Sequence, residues 1–89
     1  MLFSINGKTE RILALSTNER QLAKAQEELQ ELSDALVGGN VDEIAEEVAD
    51  VYIMLTQISD IYNLTNRYLD AIINYKLERT IHKMERGDK

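Results

Sequence analysis

Four carboxylates stand in two matched pairs in this chain, Glu28 with Glu31 and Glu47 with Asp50. Side chains three residues apart share one face of a helix, so each pair aims two negative charges in one direction. Carboxylates gathered on one patch repel and raise one another's pKa unless a cation lies among them. The chain has no cysteine and its one histidine, His82, lies far along the sequence, so the donors are oxygens alone. Oxygen-only sets select Mg2+, Mn2+ or Ca2+ over zinc, and Mg2+ commonly keeps waters and shares a substrate phosphate. The expected chemistry is activation of a water and neutralisation of charge on a phosphoryl group. Lys76, Arg79 and Lys83, at i, i+3 and i+7, form a basic line suited to phosphate oxygens.

These residues need helices to position them. The chain has 89 residues, no proline and four glycines, and is rich in Glu, Leu, Ile, Ala, Lys and Arg, which predicts an all-α fold. Met1–Gly7 carries little signal beyond an Asn6-Gly7 turn, and Lys8–Leu15 suggests a short helix. Ser16-Thr17-Asn18-Glu19 reads as a capping box with Ser16 at the cap, opening a helix over Asn18–Val37. Its apolar stripe is Leu22, Ala25, Leu29, Leu32 and Leu36, and Gly38-Gly39 ends it. Asn40 or Asp42 caps the next helix, whose stripe is Val41, Ile44, Val48, Val51, Leu55, Ile58 and Tyr62. Asn63 or Thr65 opens a last helix reaching about Glu85, with Leu69, Ile72, Ile73, Leu77, Thr80, Ile81 and Met84 as its inner surface. Three long helices in one domain over residues 1–89, with flexible ends at 1–7 and 86–89, are the expected architecture.

The wheel separates the acids. Glu28 and Glu31 fall roughly 70° and 130° from the centre of their stripe, and Glu47 and Asp50 fall at nearly the same offsets from theirs. Glu27 and Glu46 point further outward as solvated charges. Acid pairs at this spacing are common on wet helix faces, and Lys24, four before Glu28, allows ordinary surface pairing. The doubling, the matched offsets and the downstream basic line argue for a site. Ile53 and Met54 give the third helix apolar surface away from its stripe, which predicts an oligomer with Ile53 in the interface. His82 reads as a surface residue, Tyr52 and Tyr62 as packing residues, and Met54 as core or interface. Tyr68 and Tyr75 are lesser candidates for stacking on a base.

A net charge of −6 disfavours a nucleic-acid polymer as partner. No signal peptide and no membrane span are legible, so the expected setting is a soluble, cytoplasmic one.

Glu28-x-x-Glu31, a short spacer and Glu47-x-x-Asp50, all in a small helical chain, resemble the MazG-like family of all-α nucleoside triphosphate pyrophosphohydrolases. The neighbouring text agrees, with Lys24-Ala25-Gln26-Glu27-Glu28-Leu29-Gln30-Glu31-Leu32 before the break and Ile44-Ala45-Glu46-Glu47-Val48-Ala49-Asp50-Val51 after it. The resemblance covers about residues 18–84 and is nearest in character to short, phage-type members. It implies hydrolysis between the α and β phosphates to a monophosphate and pyrophosphate, with Glu28, Glu31, Glu47 and Asp50 as catalytic metal ligands for Mg2+ or Mn2+. It also implies a nucleoside triphosphate substrate held by Lys76, Arg79 and Lys83, and a dimer or tetramer of this chain. The family's Lys-x-x-Lys-Asn-x-x-Arg pattern stands here as Lys76-x-x-Arg79-Thr80-x-x-Lys83, a departure that bears on the phosphate contacts. A phosphoribosyl-ATP pyrophosphohydrolase of the same superfamily and a non-enzymatic helical interaction module are the alternative readings.

Overall fold

The computed structural model describes residue 8, residues 11–12 and residues 15–87. They form three long α-helices and, among the described residues, no strand: α1 Asn18–Gly38, α2 Val41–Ile61 and α3 Asn66–Glu85. The expectations for residues 1–7 and, at the other end, 88–89 lie outside the described residues. So does most of the expected short helix, of which Lys8, Arg11 and Ile12 are helical and Leu15 N–H donates to the Arg11 and Ile12 carbonyls.

Each helix begins where a short polar side chain can take an orphan amide. The first cap is one residue later than expected. Thr17, extended at φ −109° and ψ 156°, accepts from Arg20 N–H at 3.2 Å. Thr17 rather than Ser16 is the cap, so Glu19 sits too early to close a capping box, which needs an acid three residues after the cap. Asn40 accepts from Glu43 N–H at 3.0 Å, and Thr65 from Tyr68 N–H at 3.1 Å. Helix α1 ends on Gly39, left-handed at φ 76°, whose N–H donates to the Ala35 carbonyl. A Cβ there would meet nothing within 4 Å, so backbone conformation alone calls for glycine.

With only Gly39 and Asn40 between them, α1 and α2 fold back as an antiparallel hairpin, the one extensive helix packing among the described residues. The hairpin is turned part of the way from the face that the large apolar side chains predict: of the expected stripes, Ala25 is buried and Leu22, Leu32, Ile44, Val51 and Ile58 are half-buried. Its buried residues are Ala25, Glu28 and Ala35 from α1 and Met54 and Gln57 from α2. Leu29, Leu36, Val41, Val48, Leu55 and Tyr62, all expected in the inner stripes, are exposed, with Leu36 and Tyr62 each at 58%. Small residues explain the rotation, because alanines let two backbones approach where leucines would hold them apart. Tyr52, expected as a packing residue, is 40% exposed.

Helix α3 buries none of its residues, and of its expected inner surface only Leu69 and Ile72 are half-buried. The result is open: the radius of gyration is 15.6 Å, against about 12 Å for a compact domain of this length. No helix among the described residues is long and apolar enough to cross a membrane.

Candidate metal centre

The centre of the hairpin seam is acidic. Glu28 and Glu31 project from α1, Glu47 and Asp50 from α2, and one oxygen from each lies within 4.8 Å of the others. The two pairs therefore face one another across the seam, with Glu28 buried, Glu47 half-buried and Glu31 exposed. Glu27 and Glu46 are exposed and outside the cluster, as the wheel predicts.

Glu28 is only 6% exposed, and its Oε2, like Oε2 of Glu47, is inaccessible and has no hydrogen-bond partner. Buried carboxylate oxygens ordinarily find donors, since leaving them bare forfeits their hydration. Burial first, then the charges of Asp50 and Glu31, raises the Glu28 carboxyl above its usual range, against a lowering by Lys24. Burial also leads the rise of Glu47, followed by the charge of Glu31 and a hydrogen bond shared with it, then Asp50 and Glu28. Lys24 Nζ lies 3.4 Å from Glu28 Oε1, the i, i+4 pairing expected, and its own pKa is raised chiefly by that hydrogen bond. The ammonium is largely solvated and meets one oxygen of one acid, so most of the cluster's charge stays unanswered. Converging oxygens, two of them orphaned, with no nitrogen or sulfur donor among them, fit a hard divalent cation.

The basic line is elsewhere. Lys76 and Arg79 are exposed and Lys83 half-buried on α3, and two clefts lined by the acids do not include them. Within one chain the structure assembles the acids and leaves the three cations apart. His82 is exposed and Met54, 4% exposed, is core, both as expected. Tyr68 and Tyr75 are exposed on α3.

One pair of residues escapes a reading by charge. Gln21 Nε2 donates to Gln57 Oε1 at 2.9 Å across the seam. Gln57 is 7% exposed, and both glutamines line a cleft of about 210 Å³ that also reaches Glu28 and Asp50. Their offsets carry the signal: Gln21 stands seven before Glu28 and Gln57 seven after Asp50. In an antiparallel pair those offsets lead to the same level.

No curated protein and no solved structure gives a significant match to the chain. The family model of the MazG nucleotide pyrophosphohydrolase domain matches residues 16–89, a span that holds all four acids and the whole basic line. Paired acids on a short helical hairpin and that match agree, and the chain belongs to the MazG nucleotide pyrophosphohydrolase domain family.

Proposed function

We propose that the chain hydrolyses nucleoside triphosphates between the α and β phosphates, releasing a nucleoside monophosphate and pyrophosphate. Glu28, Glu31, Glu47 and Asp50 would hold Mg2+, or Mn2+ in its place. The supporting observation is the pair of buried, unpartnered oxygens of Glu28 and Glu47 inside a convergent four-carboxylate set, in a chain of this family. A divalent ion supplies polarisation of a phosphoryl oxygen and a lowered pKa for water.

The chain's own residues divide the remaining work. Glu28 and Glu47 fix charge in the closed part of the seam, while Glu31 stands at its open edge. One of the four carboxylates, directly or through a water, takes the proton of the attacking water. Lys24 holds Oε1 of Glu28 and leaves Oε2 free to face the cluster. Lys76, Arg79 and Lys83 grip the phosphates and balance the charge that pyrophosphate carries away.

For those cations to meet the acids, α3 has to arrive at the seam, and a second copy of the chain is the proposed source. The chain exposes 7125 Å², whereas a compact 10.2 kDa monomer exposes about 5,300 Å². Association as a dimer or tetramer through an interface that includes exposed Ile53, joined by the outer stripe, would cover that excess. One domain over residues 1–89, acting in the cytoplasm where its substrates are, completes the proposal.

Incubation with mixed nucleoside triphosphates and Mg2+ should yield pyrophosphate and no orthophosphate. Phosphoribosyl-ATP is the next substrate to try. Absence of pyrophosphate from all of them would overturn the enzymatic reading in favour of a helical interaction module.

A further inference from the structure

We propose that the Gln21–Gln57 bridge reads the nucleobase, which seats in the cleft running from the acids along the hairpin seam. Resting on the nucleotide-hydrolase reading, this assignment adds which side chains meet the base. The geometry supplies the distance. Seven residues are two helical turns, about 10.5 Å at 1.5 Å per residue, so the amides lie that far from the acids. A phosphate at the acids and a base at the amides would leave the sugar between them.

The cleft has the right composition along that path. Lys24, Glu28 and Asp50 stand at its charged end, Ala25, Ile53 and Met54 form apolar walls, and the two amides close the far end. Its volume of about 210 Å³ is below the roughly 300–1,000 Å³ of sites that enclose whole ligands, and suits one planar ring system. Alanine leaves room for a ring, and methionine adapts to its face.

Structure alone does not account for the amides. A pair of apolar side chains would join two helices without desolvating two polar groups. The bridge uses one donor and one acceptor of the pair. In either orientation of the two amides, the bridge leaves one NH2 and one carbonyl over, and both residues line the cleft. An adjacent donor and acceptor are what the hydrogen-bonding edge of a nucleobase complements.

The test begins with wild-type kcat/KM for each common nucleoside triphosphate, measured by pyrophosphate release. No release from any of them would defeat the nucleotide-hydrolase reading itself. Given release, Gln57→Leu should lower kcat/KM for the preferred base about tenfold, mostly through KM, and flatten the ranking among bases. A preserved ranking in a folded variant would overturn the assignment and leave the hydrolase reading intact. Should Gln57→Leu fail to fold, Gln21→Leu, at the half-buried end of the bridge, carries the same expectation and the same refutation.

A second readout needs no turnover. The side-chain amide resonances of Gln21 and Gln57 should move on titration with an α,β-imido nucleoside triphosphate. They should stay still with Mg2+ and inorganic tripolyphosphate, which engage only the charged end. Amides that respond to neither ligand, or equally to both, would refute base contact.

Discussion

The two faces of the α1–α2 hairpin are built from opposite materials. The inner one buries alanines, a methionine, a glutamate and a glutamine, and the outer one exposes Leu29, Leu36, Val48 and Leu55. A solitary helix pair would place these sets the other way round, since burial of apolar area is worth about 25 cal/mol per Å². The inversion assigns the faces different work. Close approach of small residues lets the inner seam hold charge in a fixed geometry. The strongest apolar surface stays outward, where another chain can cover it. On the proposed reading, stability and chemistry would be drawn from different sides of the same two helices.

The sharpest way to break that division is at the inner seam. Glu47→Gln should abolish pyrophosphate release, a loss beyond the roughly 10–100-fold that an outer-shell partner of a metal commonly contributes. The metal-free variant should melt no lower than the wild type, because an unanswered charge has been removed. Turnover at the wild-type rate would sink the metal assignment.

At the outer face, Leu55→Asp should leave the hairpin's interior untouched but disrupt association. Light scattering should report a smaller species, with a melting temperature no longer dependent on protein concentration. A variant with the wild-type mass would move the interface away from this stripe.

The smallest effect concerns pH. Glu28 and Glu47 have carboxyls raised in the folded chain, so the native state holds protons that the unfolded chain releases. Their contribution to stability is full below the unfolded carboxylate range, near pH 4.3, and is lost as pH rises through the raised values. Metal-free protein should therefore melt higher at pH 5 than at pH 7, a trend saturating Mg2+ should reverse because protons then compete with the ion. The raised pKa of Lys24 acts only in the alkaline range. A metal-free melting temperature that climbs from pH 5 to pH 7 would contradict the buried-repulsion account.

The helix ends were legible because they rest on local chemistry: Asn40 and Thr65 cap where short oxygen side chains precede helix formers, and Gly38-Gly39 ends α1. The acids were legible because spacing alone separates Glu28 and Glu47 from Glu27 and Glu46. Rotation of each helix about its axis was not. A wheel centres between Leu32 and Leu36 on α1 and near Leu55 on α2, yet it does not say whether a stripe meets its own hairpin or another chain. Ala25 lies on the expected stripe and is buried as read there, whereas the burial of Ala35 was hidden by its small contribution to hydrophobicity. The Gln21–Gln57 bridge stayed hidden for a related reason: neutral polar residues on a helix read as surface until a fold brings two of them together.

The left-handed Gly39 has a consequence for how the chain tolerates change in length. Glu31 and Glu47 lie eight residues either side of it, Glu28 and Asp50 eleven, Gln21 and Gln57 eighteen. The hairpin is a palindrome of distances about a single glycine. One residue added to or deleted from the turn would leave every acid and amide on its own helix, yet displace all three pairings together. Turn length is thereby as strict a requirement as the carboxylates themselves, though no atom of the turn belongs to the cluster.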